Sequence, residues 1–225
     1  MITFSRLGKF GRLGNQLFQI ASTVGIARKN GVEYGFPRWE HEDRFRSLPR
    51  MGRPGRPIVV GWGYHDLRLT DGDLRGYLQS ERYWADHERE VRDLFRFRRR
   101  GEPLDGCAIH IRRGDYDGDY HAILGPEYYL PAMERAGASR YTVFTDSPEQ
   151  VEWISRYAEI RPVGHPVDDL QDFSLHQSYI IGNSSWSWWG SYLGQGQTIA
   201  PKTWFGWKYR ALGMSDLIRK DWILL

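Results

Sequence analysis

The sequence predicts an α/β protein whose C-terminal half is a doubly wound parallel sheet, on three observations. From Asp105 onward, strand-like and helix-like segments alternate at the spacing of βαβ units, which right-handed crossovers lay into a parallel sheet. Cys107, Ala108, Ile109 and Ile111 form an apolar run that breaks off into His110, Arg112, Arg113 and Asp115, the pattern of a buried strand ending at a crevice. Finally, Arg98–Pro103 passes from charge to Gly and Pro before a new strand, and divides a smaller α/β domain (1–102) from the sheet domain (103–225).

Residues 1–5 read as an opening strand, followed by the glycine-rich turn Gly8–Gln16. Leu17, Ile20, Ala21, Val24 and Ala27 then recur at helical spacing from Gly14 to about Lys29, and Asn30-Gly31 closes that helix. Strand, glycine turn and helix together can offer backbone N–H groups to an anion, although the glycine spacing is neither a dinucleotide fingerprint nor a P-loop. Residues 36–60, rich in Pro, Arg and Gly, predict mostly loop. Ile58–Val60 and Leu74–Leu78 predict short strands, and Glu81–Arg96 a helix.

In the second half the pattern predicts a strand at 106–111 and a helix at 126–136, opened by Pro126 and closed by Gly137. A strand at 140–145 leads into Asp146-Ser147-Pro148-Glu149 and a helix over 149–157. A short strand at 158–163, a helix at Asp168–His176 and a strand at Ser178–Gly182 follow. Asn183-Ser184-Ser185 caps the next helix, and Thr198–Pro201 is the last strand.

Ligands of such sheets bind at the carboxyl ends of the strands. Those ends carry His110/Arg112/Arg113/Asp115, then Thr145/Asp146/Ser147, then Asn183/Ser184/Ser185. An arginine pair facing a serine-rich helix start fits a diphosphate held without metal. The acidic pairs Asp71-Gly72-Asp73 and Asp117-Gly118-Asp119 read as turns, and Pro126 stands where a calcium loop would need Glu.

The composition narrows the class. Lys+Arg 31 against Asp+Glu 28 leaves only +3, too thin an excess to argue for nucleic acid. One cysteine excludes an intrachain disulfide, and Cys107 reads as strand core. The opening residues lack the apolar run of a signal peptide and no stretch has the length of a membrane span, so a cytoplasmic location is expected. The 10 tryptophans read mainly as packing, with some available to line a sugar cleft.

His110-Ile-Arg112-Arg113-Gly-Asp115-Tyr116 resembles the His-x-Arg-Arg-x-Asp-Tyr motif of the α-1,2-fucosyltransferases (glycosyltransferase family 11), relatives of the α-1,6- and protein O-fucosyltransferases. Gly11–Gln19 is similar to the family's N-terminal Gly-Asn-Gln turn, Gly76–Tyr83 to its Gly-Tyr-Phe-Gln-Ser segment, Asp169 through Gly190 to its third motif, and Ala200–Phe205 to its tail.

The resemblance implies an inverting, metal-independent transferase with a variant GT-B fold: a Rossmann-like GDP-sugar domain at 103–225 and a shortened acceptor-side domain at 1–102. It would move L-fucose from GDP-fucose, with no further cofactor, to a hydroxyl of an oligosaccharide or glycoconjugate, O-2 of a β-galactoside being the family's usual acceptor. Arg112 would bind the diphosphate and stabilise the leaving group, and His110 and Asp169 would contact guanine. Ser184 and Ser185 would meet the phosphates, with Asn15 facing the fucose and diphosphate. Asp115 is a candidate base and equally a tether of the motif loop. The chain is short for the family between about 36 and 75. A related glycosyltransferase with another donor, and a carbohydrate-binding protein with a degenerate nucleotide-sugar site, are the alternatives.

Overall fold

In the computed structural model, which describes every residue from Met1 to Leu225, the chain divides into two units. One is Met1–Arg100 with Ser215–Leu217, the other Gly101–Met214 with Ile218–Leu225.

The first unit holds a parallel sheet in the order β2-β1-β4-β3, from β1 (Ile2–Thr3), β2 (Tyr34–Gly35), β3 (Pro57–Val59) and β4 (Gly72–Arg75). Helix α1 (Leu13–Lys29) buries Leu17, Phe18, Ile20, Ala21 and Val24 completely. It ends where the sequence predicts: Gly31, at φ +65°, donates its N–H to the Arg28 carbonyl, and Val32 donates to the Ala27 carbonyl. These two bonds satisfy carbonyls that the helix end leaves over.

Asp71-Gly72-Asp73 is not a turn. Gly72 opens β4, and the buried Asp73 carboxylate accepts from Thr3 Oγ1 at 2.9 Å and from the Ser5 N–H and Oγ at 2.8 Å. A carboxylate that deep needs such donors, and they tie β1 to β4.

The helix predicted over 81–96 is broken into two 3₁₀ turns, Glu81–Tyr83 and Ala85–His87, before α2 (Glu88–Leu94). Trp84 (φ −124°) and His87 (φ −129°) leave the helical region between the pieces. The cause is tertiary. The Tyr83–Trp84 backbone lies against Gly25 of α1, where an added Cβ would meet the Tyr83 carbonyl oxygen at 2.1 Å. Both rings are buried there, so packing overrides helical propensity.

The second unit is a six-stranded sheet in the order β10-β9-β8-β5-β6-β7, every pairing parallel. Its strands are β5 (Leu104–Ile111), β6 (Tyr141–Thr145), β7 (Glu159–Ile160), β8 (His176–Ile180), β9 (Gln197–Ala200) and β10 (Ile223–Leu224). Alternate residues of a strand point to opposite faces. Cys107, Ile109 and Ile111 accordingly join Val143 and Ile180 in a core with Tyr128, Tyr129, Ala132 and Met133 of α3 (Pro126–Ala136). His110, Phe144 and Tyr179 meet Phe173 of α4 (Pro166–Ser174) instead, with ring centroids 6.5, 5.3 and 5.4 Å away. Helices therefore cover both faces, as a doubly wound sheet requires.

Helix α3 has the predicted bounds, from Pro126 to the left-handed Gly137 (φ +59°). The helix predicted over 149–157 is two 3₁₀ turns, Pro148–Gln150 and Glu152–Ile154. Val151 (φ −127°) separates them, and it and Ile154 drop fully into the core. Strand β10 was not foreseen; two residues carry no readable alternation. Burial pushes the Cys107 thiol up to about 11, in keeping with its place in the strand core. No helix is long and apolar enough to cross a membrane.

Candidate functional site

The sheet order sets β8, β5 and β6 side by side, so the polar clusters at their carboxyl ends become neighbours. The loop after β5 is built around Asp146 at the end of β6. Asp146 Oδ2 lies 2.6 Å from Arg112 Nη1, and its Oδ1 accepts the Arg113 N–H at 2.9 Å. The Gly114 N–H donates to Ser147 Oγ at 3.2 Å. An added Cβ at Gly114 would fall 2.1 Å from Asp146 Oδ2, which restricts that position to glycine.

Arg112 and Arg113 do different work, which separates the predicted pair. The Arg113 guanidinium is buried and donates to the Arg112 carbonyl at 3.1 Å and the Leu124 carbonyl at 2.6 Å, so it braces the loop. The Arg112 guanidinium, with its side chain 14% exposed, also binds Asp115. Asp115 thus holds the motif through the Arg112 side chain.

Tyr116 carries the loop across to β8: its hydroxyl donates to the Asn183 carbonyl at 2.7 Å. Burial raises that phenol far above its ordinary range. Asn183 Nδ2 in turn donates to the carbonyls of Ala122 (2.8 Å) and Trp204 (2.7 Å). Next to it Ser184 caps α5 (Ser185–Leu193), its hydroxyl accepting the Trp186 N–H at 3.3 Å. The cap role predicted for Ser184 is observed, and Ser185 is the first helical residue.

His110 is buried, with its ring 4.8 Å from that of Trp186 and edge-on to Phe173. Burial first and the Arg112 charge second push its pKa down to about 3, so the imidazole is neutral near pH 7. Its Nδ1 is buried without a hydrogen-bond partner. Asp169, in the first turn of α4, accepts the Gly164 N–H at 2.9 Å and lies 3.6 Å from Arg161. Burial nevertheless raises its carboxyl. Phe173, one turn further along α4, touches both His110 and Trp186.

His110, Arg112, Asp115, Ser184 and Ser185 therefore gather at the ends of β5 and β8, with Asp169 on the helix that covers that face. Asn15 belongs to the first unit. There its Oδ1 accepts Gln79 Nε2 at 2.5 Å, and Gly11 (φ +81°) leaves it room, since a Cβ on Gly11 would come within 2.6 Å. Asp117-Gly118-Asp119 is a turn, as predicted: Asp117 Oδ1 accepts the Asp119 N–H at 2.8 Å and Gly118 has φ +84°. Asp146, named in the sequence only as part of a strand-end cluster, and Tyr116, named only as the end of the motif, turn out to organise the site. Position marked Asp146 in the sequence; its partners, the Arg112 guanidinium and the Arg113 N–H, are visible only in the fold.

A permanently charged guanidinium beside a capped helix N-terminus has the chemistry to hold an anion, and a buried neutral histidine that of a selective hydrogen-bonding group. Three curated relatives are similar to the chain. One is an alpha-1,2-colitosyltransferase of Escherichia coli, 30% identical over 186 residues, covering 66% of this chain and 60% of the relative. Another is the Escherichia coli O-antigen biosynthesis glycosyltransferase WbnK, 28% identical over 145 residues, covering 55% and 46%. The third is galactoside alpha-(1,2)-fucosyltransferase 1 of Sus scrofa, 26% identical over 239 residues, covering 84% and 65%. The chain thus spans from under half to under two thirds of the length of these relatives. The model of glycosyl transferase family 11 matches residues 74–225, from β4 through every strand of the second sheet, and the chain belongs to that family.

Proposed function

We propose that the chain transfers L-fucose from GDP-fucose to a hydroxyl of a glycan acceptor, O-2 of a β-galactoside, with inversion and without a metal ion. In this reading it is a variant GT-B enzyme, with 103–225 as the donor domain and 1–102 on the acceptor side. The observation that carries it is the Arg112 guanidinium held by Asp146 after β5, with the Ser184-capped start of α5 after the neighbouring strand β8.

The acceptor hydroxyl oxygen forms the new bond to the anomeric carbon and loses its proton. The bond from that carbon to the diphosphate breaks, and GDP leaves with the electron pair. Positive charge develops on the sugar ring, as in other glycosyl transfers. Negative charge collects on the departing phosphate, where Arg112 and the N–H groups at Ser184 and Ser185 stabilise it. Neutral His110 and Asp169 read the guanine, and Asn15 approaches the fucose and diphosphate. Asp115 takes the acceptor proton, or it serves only to tether the loop and the proton passes to the departing diphosphate or to water; its contact with Arg112 supports the tether. The metal-free reading draws on the acidic pairs being engaged by protein, Asp119 by Trp207 and Lys208 and Asp73 by Thr3 and Ser5.

A second reading keeps the reaction and changes the donor to a colitosyl nucleotide, because an Escherichia coli relative bears that name. Incubation with each donor and a β-galactoside in EDTA, with the product linkage read by NMR, tests both. An α-1,2-fucosylated product supports the first reading, a colitosylated one the second. A donor left intact with every galactoside would overturn both.

A further inference from the structure

We propose that Tyr120, Trp207, Lys208 and Tyr209, on the second unit, form a stacking platform that binds the sugar rings of the glycan acceptor. This deepens the transferase reading and rests on it.

Exposure marks the patch. Trp207 is 63% exposed and Tyr120 and Tyr209 are 42% exposed, whereas Trp84, Trp188 and Trp189 are no more than 1% exposed. The rings are nonetheless held in place. Trp207 Nε1 donates to Asp119 Oδ1 at 2.7 Å, and Lys208 Nζ donates to Asp119 Oδ2 at 2.6 Å. Lys208 Nζ lies 4.8 Å from the Tyr120 ring centre and 5.3 Å from that of Trp207, and Tyr120 and Tyr209 meet edge to face at 4.9 Å. The two loops are also joined by backbone: the Gly206 N–H donates to the Tyr120 carbonyl and the Lys208 N–H to the Asp119 carbonyl, both at 2.9 Å. A Cβ at Gly206 would lie 2.2 Å from the Gly118 carbonyl oxygen, so the approach depends on glycine.

An exposed ring fixed by a hydrogen bond and edged by an ammonium and a carboxylate has two kinds of surface. Its face suits the C–H face of a pyranose, and its edge suits hydroxyls. An apolar partner would leave the Asp119–Lys208 pair desolvated at cost.

The position of the patch names the occupant. His121 pairs with Phe205 across the two loops and stacks on Tyr116 at 4.5 Å. The Tyr116 ring centre is 5.7 Å from the Arg112 guanidinium carbon. Asn183, the residue before the Ser184 cap, holds the Ala122 and Trp204 carbonyls, one on each loop. The platform is thus anchored to the residues that hold the leaving diphosphate. The acceptor hydroxyl must approach within about 3–3.5 Å of the carbon that the diphosphate leaves. A glycan chain lying on Trp207 is the occupant that this continuity serves.

Trp207→Ala and Trp207→Phe test the assignment, because an exposed ring can be removed without opening the core. Truncation is expected to raise the KM for a galactose-terminated oligosaccharide about tenfold, with a much smaller change in kcat, and Phe should recover part of the loss. Thermal stabilisation by GDP should be unchanged. Saturation-transfer NMR on the same oligosaccharide without donor should show contact in the wild type and little in Trp207→Ala. An unchanged KM and undiminished saturation transfer would overturn the platform, as would a wild-type dimer that Trp207→Ala dissociates, since a second copy would then cover the rings. Failure of the transferase reading is distinct: the wild type would then show neither GDP stabilisation nor turnover, and the NMR comparison still decides whether the rings bind sugar.

Discussion

Arg112 and Asp146 are joined at 2.6 Å, and the other oxygen of the same carboxylate holds the backbone of the next residue, Arg113. One aspartate therefore sets both the direction of the guanidinium and the path of the loop that presents it. That loop leaves β5 and Asp146 leaves β6, so the arrangement depends on two adjacent parallel strands ending at the same level.

Removing the guanidinium separates its chemistry from its structural part. Arg112→Ala is expected to lower kcat by roughly two to three orders of magnitude, the usual loss for a donor that stabilises developing negative charge. Asp146 keeps the Arg113 N–H, so circular dichroism should stay native. Arg112→Lys keeps the charge without the planar fork and should recover only part of the rate. Steady-state kinetics on purified variants check this.

Asp146→Ala leaves the Arg113 N–H without its acceptor and Arg112 with only Asp115 of its two carboxylate partners. It is expected to cost about 1–3 kcal/mol of stability and to lower donor affinity as well. Asp146→Asn retains an acceptor and should be milder in urea unfolding, yet remain impaired in transfer. Equal stability losses for the two variants would contradict the role given to that carboxylate.

His110 sets a pH dependence whose sign follows from burial. Its pKa is about 3 in the folded chain against an ordinary 6.5, so the unfolded chain binds a proton at His110 through that window and the folded chain does not. Its stabilising contribution is complete above pH 6.5 and is lost as pH falls toward 3. Between pH 6.5 and 5 the loss amounts to roughly 2 kcal/mol. Half-buried His121 and buried His176 are shifted down in the same direction, so the test is a difference. Urea unfolding of wild type and His110→Phe at both pH values should show a smaller acid loss in the variant.

Gly25→Ala tests the first unit. Its Cβ would meet the Tyr83 carbonyl oxygen at 2.1 Å and the Trp84 Cα at 2.7 Å, both backbone atoms that cannot swing aside. A loss of about 1–3 kcal/mol is expected in chemical denaturation, from forced displacement of a close-packed turn.

Much of the second unit is legible because its signals are local. Pro126 and Gly137 bracket α3, and the apolar run of β5 ends in charge, so a parallel sheet with a crevice at its strand ends follows from pattern and handedness, while the strand order does not. What was not legible is what tertiary packing decides. The helical periodicity of 81–96 is real in its buried rings, but the backbone is bent onto α1. Asp73 and Asp119 each belong to an Asp-Gly-Asp pair and have opposite fates, a buried strand anchor and a surface partner of Trp207. At the site, the residue types read from the motif do meet at the ends of β5 and β8. The division of labour between Arg112 and Arg113, and the reach of Asp146 across 33 residues, are matters of direction in space that no spacing encodes.

The central claim, a metal-free site selective for a guanine diphosphate, is tested most directly by thermal unfolding of the wild-type chain with GDP, UDP, ADP or GDP-fucose, each in EDTA. A ligand that binds the folded chain at 100 times its Kd adds about 2.7 kcal/mol and raises the midpoint. The account predicts that GDP and GDP-fucose raise it while UDP and ADP do not. Equal shifts with all the nucleotides, or no shift with GDP, would contradict it.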